Sequence, residues 1–228
     1  PQITAATGMD ALTHNIESYL SPAYHPLCDG IALEGVRIAA RALPVAVRNG
    51  RNLTARSDMM MASMMGAVAF QKDLGAVHSC AHALSTVNDL HHGLANGVMI
   101  DHVMRFNRSA AATKMDELAR VAGGTDFVEW LVRLKEELGI PARLGPLGVN
   151  GEHVSRLVDV AEKDTCHQTN PRPCSRGDFE QLFARLGDQG ALEAESEGNV
   201  DVVTLLALAL KSEIEAAELA GFFLPTTP

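Results

Sequence analysis

Asp10 and His14 stand four residues apart, and so do His78 and His82. On a helix that spacing puts the members of each pair one turn apart on the same face. His91 and His92 follow directly before Gly93. A carboxylate with several imidazoles is a nitrogen/oxygen donor set that suits Fe(II) or Zn(II) and suits neither calcium nor magnesium. Helices projecting histidines and carboxylates inward are a recurrent way of building such centres in bundles. Spacing alone leaves a second reading open, because an Asp/His pair one turn apart also makes a simple hydrogen bond. A His-x-x-x-His spacing also arises by chance in many helices. The remaining histidines read as structural: His25 at the surface before Pro26, His102 packed on a helix, His153 at a helix start and His167 in a turn.

The elements that must position these residues are helical. Met115, Leu118, Ala119 and Ala122 follow the i, i+3, i+4, i+7 pattern, and so do Phe127, Trp130, Leu131 and Leu134. Val154, Leu157, Val158 and Ala161 repeat it, as do Phe179, Leu182, Phe183 and Leu186. Each set forms an apolar stripe of the kind an amphipathic helix lays on a core. Alternation of period two over a strand's length is absent, so the fold is read as all-α, a multi-helix bundle. A long helix is expected from about Cys28 to Val47, ended by Asn49-Gly50, and Gly139-Ile140-Pro141 ends the helix bearing Trp130. Ser175 with Asp178 three residues on has the form of an N-terminal capping box. The methionines Met59, Met60, Met61, Met64 and Met65 are expected to fill gaps in a buried helix.

Bulk composition excludes several classes. A chain of 228 residues that is 46% hydrophobic and 21% charged is of ordinary globular make-up. Aromatics are 4%, so the core must be aliphatic. A formal net charge of -9 argues against nucleic acid and against an anionic membrane surface as partners. The longest apolar run, Leu205 to Leu210, is far short of the roughly 20 residues a membrane helix needs. Cys28, Cys80, Cys166 and Cys174 are scattered, with no C-x-x-C pair, which argues against a cysteine-based zinc site and for reduced thiols in a cytoplasmic protein. No basic region followed by an apolar stretch opens the chain, so no signal peptide is visible.

Three segments carry a more specific likeness. Ala6-Thr7-Gly8-Met9-Asp10-Ala11-Leu12-Thr13-His14 resembles the motif opening the helical domain of the iron-containing (group III) alcohol dehydrogenases. Leu74-Gly75-Ala76-Val77-His78-Ser79-Cys80-Ala81-His82 resembles the second motif of that family, and His91-His92-Gly93-Leu94-Ala95-Asn96 its third. Weaker echoes run through Asp164-Thr165-Cys166 and Thr169-Asn170-Pro171-Arg172.

The resemblance implies a fold like the C-terminal domain of these enzymes and of dehydroquinate synthase. It implies that Asp10, His14, His78 and His92 are metal ligands. It also implies that His82 lies near a nicotinamide and serves proton transfer. The activity implied is hydride transfer between a small alcohol or aldehyde and NAD or NADP, assisted by Fe(II) or Zn(II), in a homo-oligomer. The expected organisation is a helical metal-binding domain over 1–186, a linker over 187–199 and a helical extension over 200–228. The family's N-terminal nucleotide-binding domain, with its glycine-rich phosphate-binding turn, is expected to lie outside these 228 residues. A related glycerol dehydrogenase, or a non-catalytic helical module that binds metal or mediates dimerisation, are the alternative readings.

Overall fold

A computed structural model describes residues 1–184 and Leu186, and every regular element among them is helical. The eight α-helices are α1 (Gln2–Leu20), α2 (Pro26–Arg48), α3 (Leu53–Ala69), α4 (Ala76–Asn88), α5 (His92–Ala122), α6 (Phe127–Leu138), α7 (Val154–Ala161) and α8 (Arg176–Ala184). No helix among the described residues is long and apolar enough to cross a membrane. The linker and extension expected over 187–228 lie outside the described residues.

α1 is the central helix of the described residues. Met9, Leu12, Ile16 and Leu20 recur at three- and four-residue steps and are almost wholly buried, and the helix packs against α2, α3 and α5. Small residues set how closely these helices approach. A Cβ on Gly35 of α2 would lie 2.0 Å from the Asn15 side chain, and one on Gly66 of α3 would lie 2.9 Å from the His14 Cβ. Asn15 fills the join by donating to the carbonyls of Ala11 (2.8 Å) and Ala62 (2.9 Å).

That close approach overturns the expectation for the methionines. α3 buries Ala55, Ala62, Gly66 and Ala69, its narrow side, against α1 and α2. The bulky side therefore points out, with Met60 74%, Met61 43% and Met64 54% exposed. Met59 and Met65 are half-buried.

α5 joins the halves of the fold. It carries the Met115–Ala122 stripe at its far end, passes a non-helical residue at Ala111, and packs on α1, α4 and α6. α6 begins where Asp126 accepts from the amides of Val128 and Glu129 and stops at Gly139 in the left-handed conformation. α8 opens on the box seen in the sequence, with Ser175 and Asp178 each bonding the other's backbone amide.

α4 has no local cap, since Gly75 offers no side chain to its first turn. Distant residues replace one. Glu17 of α1 accepts from the amides of Val77 (2.7 Å) and His78 (3.3 Å), and Asn170 Oδ1 accepts from the amide of Ala76 at 3.2 Å. Asn170 is itself fixed by a reciprocal amide pair with Asn107 of α5, at 2.9 and 2.6 Å. Unsatisfied donors at a buried helix start are costly, so these contacts hold α4 in place.

Candidate metal centre

Asp10 and His14 leave α1 on one face, His78 leaves the first turn of α4, and His92 is the first residue of α5. The donor atoms of Asp10, His14 and His78 all lie within 4.8 Å of one another. Asp10 Oδ1 is the common point, 3.8 Å from His14 Nε2, 3.6 Å from His78 Nε2 and 3.4 Å from His92 Nε2. His92 is the nearest of the three imidazoles to Asp10, but it is not one of the three residues whose donor atoms all lie within 4.8 Å of one another. Asn96, one turn along α5 from His92, donates from Nδ2 to the same Asp10 oxygen at 2.7 Å and lies 3.1 Å from His92 Nε2.

The polarity of His78 decides what this arrangement can hold. Its Nδ1 is 2.7 Å from Glu17 Oε2, with both side chains 1% exposed. A carboxylate accepts, so the proton sits on Nδ1 and the bare lone pair of Nε2 faces Asp10. At 3.6 Å this is too long for a hydrogen bond. Acceptor therefore faces acceptor unless a proton on Nε2 or a metal cation stands between them. Ionisation follows the same logic. Burial opposes charge on His78, but the Asp10 and Glu17 carboxylates outweigh it and lift the imidazole to about 9, so with no ion between them a proton on Nε2 takes the place a metal ion would fill. Burial also opposes charge on Asp10, yet His78 and His92 hold that carboxyl far below the usual carboxylate range. His14 is lowered, by burial and then by His78, which leaves a neutral ring with a free lone pair. A partly buried set of one carboxylate and imidazoles fits a divalent Fe(II) or Zn(II) ion, which would displace the proton from His78. The Glu17 contact is the outer-shell support that such ligands use.

His82 lies beside this group. Its Nδ1 is 2.8 Å from Asp164 Oδ2, its ring stacks on His92 with centroids 5.1 Å apart, and its side chain is 41% exposed. Burial opposes charge on Asp164, but Ser79, the Cys166 amide and His82 hold the carboxyl at about 2. Two contributors escaped the sequence reading. Glu17 was not singled out, although it stands seven residues after Asp10 on the same helix, a spacing that keeps it on the Asp10 face. Asp164 was noted as a motif echo without a task.

Four of the five other histidines are accounted for locally. His25 accepts from the Cys28 amide at the start of α2, and His102 meets the carbonyl of Ala142. His153 completes a box with Asn150, and His167 bonds the Glu162 carbonyl.

Comparison with known proteins adds the family. The model of the Fe-containing alcohol dehydrogenase family, C-terminal, matches residues 4–187. The 4-hydroxybutyrate dehydrogenase of Cupriavidus necator is 39% identical over 193 residues, covering 79% of this chain and 50% of the relative. The NAD-dependent methanol dehydrogenase of Bacillus methanolicus is 34% identical, covering 79% of this chain and 51% of the relative. A solved 1,3-propanediol oxidoreductase superposes with a TM-score of 0.78 at 36% identity, covering 82% of this chain and 52% of that one. The chain spans about half the length of the curated relatives it matches. With three ordered motifs, an all-helical fold and a family match over most of its length, the chain belongs to the iron-containing alcohol dehydrogenase family.

Proposed function

We propose that this chain is the metal-binding, helical half of an NAD(P)-linked alcohol dehydrogenase that interconverts a short alcohol and its aldehyde. The observation that carries the reading is the meeting of Asp10, His14 and His78 within 4.8 Å, with His92 brought to the same Asp10 oxygen. The activities named for the relatives, on 4-hydroxybutyrate, methanol and 1,3-propanediol, support a small primary alcohol as substrate and NAD as hydride acceptor.

When bound at this centre, a divalent ion supplies Lewis acidity for an alcohol or carbonyl oxygen, while the nicotinamide accepts or returns hydride. The chain's own groups do the rest. Asp10, His14, His78 and His92 would hold the ion, and Glu17 keeps His78 Nε2 turned toward it. Asn96 fixes the Asp10 carboxylate and so sets which oxygen it presents. His82 moves the proton of the substrate hydroxyl. Asp164 engages its Nδ1, leaving Nε2 as the accepting atom, and the exposed ring passes the proton to water.

The test is metal content and turnover of the full protein after anaerobic loading with Fe(II). Wild type should retain about one ion per chain, and His78→Ala and His92→Ala should lose it together with activity. Unchanged metal content in both variants would sink the assignment.

A further inference from the structure

We propose that His82, Asp164 and Cys166 form a second, weaker transition-metal site beside the Asp10 centre, suited to zinc-like ions, whose occupation removes His82 from proton transfer. The ion site rests on these three donors alone; its effect on turnover rests on the role given to His82 above.

An imidazole nitrogen, a carboxylate oxygen and a thiol sulfur, one from each residue, lie within 4.8 Å of one another. Their geometry is imposed from outside. Asp164 Oδ1 is occupied by the Ser79 hydroxyl at 2.7 Å and the Cys166 amide at 2.9 Å, so Oδ2 is the oxygen left facing His82. Ser79 Oγ in turn accepts from the His167 amide at 2.9 Å. A carboxylate held this way on one oxygen has the second-layer support typical of metal ligands. The His82 and Asp164 side chains are 41% and 19% exposed, so an ion arrives from solvent and keeps water in its remaining position.

The donor chemistry separates the two sites. Sulfur, nitrogen and oxygen together favour zinc, cobalt or cadmium and disfavour magnesium and calcium. The Asp10 centre has no sulfur. The absence of a C-x-x-C pair argues against a cysteine-rich site, and one thiol among mixed donors escapes that argument. Binding balances as one divalent ion taken up, one proton released from Cys166 to solvent, and the His82 proton moved from Nδ1 to Nε2. Nε2 then carries a hydrogen and no longer accepts one.

Cobalt(II) titration of the metal-free protein, followed by absorbance, reads each site separately. The Asp10 centre gives only weak visible ligand-field bands. The second site adds an intense near-ultraviolet sulfur-to-cobalt charge-transfer band. That band is expected in wild type, absent in Cys166→Ser, and shifted to about 10–100-fold higher cobalt in Ser79→Ala. It should persist in His14→Ala, in which the visible bands are weakened. A charge-transfer band without a sulfur-free first equivalent supports this site and counts against the Asp10 reading. No such band, or one that survives Cys166→Ser, overturns the proposal. Nitrogen NMR of the His82 ring should move from the Nδ1–H to the Nε2–H form when zinc is added. An unchanged ring would overturn the link to proton transfer.

Discussion

Glu17 and His78 share a hydrogen bond of 2.7 Å sealed in the core, with the carboxylate of one helix fixing the imidazole of another. The same carboxylate also accepts from the Val77 and His78 amides. Glu17→Gln keeps the shape but turns an amide NH2 toward at least one of these donors. Metal affinity should fall about 10–100-fold, as when outer-shell partners are lost, and stability by about 1–3 kcal/mol. Chelator competition and urea unfolding measure the two. Affinity within twofold of wild type would show that His78 needs no such guide.

Gly93 explains why a glycine follows His92. A Cβ there would stand 2.3 Å from the Ala6 carbonyl oxygen and 2.7 Å from its carbon, both backbone atoms of α1. Neither can swing aside as a side chain would. Gly93→Ala should push the start of α5 off α1, costing about 1–3 kcal/mol and carrying His92 away from Asp10. Gly30 in α2 is the control, with nothing within 4 Å of its would-be Cβ. Gly30→Ala should stabilise by about 0.5–1 kcal/mol. Equal effects of the two substitutions in thermal unfolding would remove the close-approach argument.

His82→Ala separates proton transfer from metal binding. In the full enzyme the ion at the Asp10 centre should remain, and kcat should drop by about 10²–10⁴-fold, the range for loss of a general acid–base group. Metal analysis beside steady-state kinetics decides it. Loss of the ion in this variant would make His82 a ligand and reopen the place of His92.

Asp126 gives the pH prediction. The Glu129 amide holds its carboxyl below the ordinary value, burial opposes this, and Arg108 adds to the lowering. The ion pair is exposed, so most of the benefit is the helix cap. Asp126→Ala should cost about 1 kcal/mol at neutral pH. A depressed folded pKa makes this contribution complete above the unfolded value of 3.8 and lost as pH falls through the lower folded value. Urea unfolding at pH 7 and pH 3 should show the gap between variant and wild type shrinking in acid. A gap that widens in acid would contradict the assignment.

What was legible in the chain was local. α6 could be bounded from Phe127 to Leu138 because its stripe and Gly139 lie within one stretch. The Asp10/His14 and His78/His82 pairs showed because a helical turn brings residues four apart together. Glu17 was harder, since a glutamate seven residues after Asp10 gives no sign that its partners lie 60 positions on. The start of α4 was illegible for the same reason, as its caps come from α1 and from Asn170. The methionines of α3 were misjudged because hydrophobicity names a residue's preference and not which side a neighbouring helix needs narrow. Only the approach of α1 against Ala62 and Gly66 determines that.

The borrowed cap on α4 also bears on the order of events during folding. Its first turn is secured by Glu17 and Asn170, which bond across 60 and 94 positions of chain. Closing loops of that length costs entropy before any contact repays it. α1 and α5 hold apolar stripes of their own and can assemble earlier, whereas the turn bearing His78 must wait for both distant partners. The most buried imidazole of the centre is therefore set late. Substitutions at Glu17 and Asn170 should accelerate unfolding far more than they slow folding, a split that stopped-flow chevrons resolve directly.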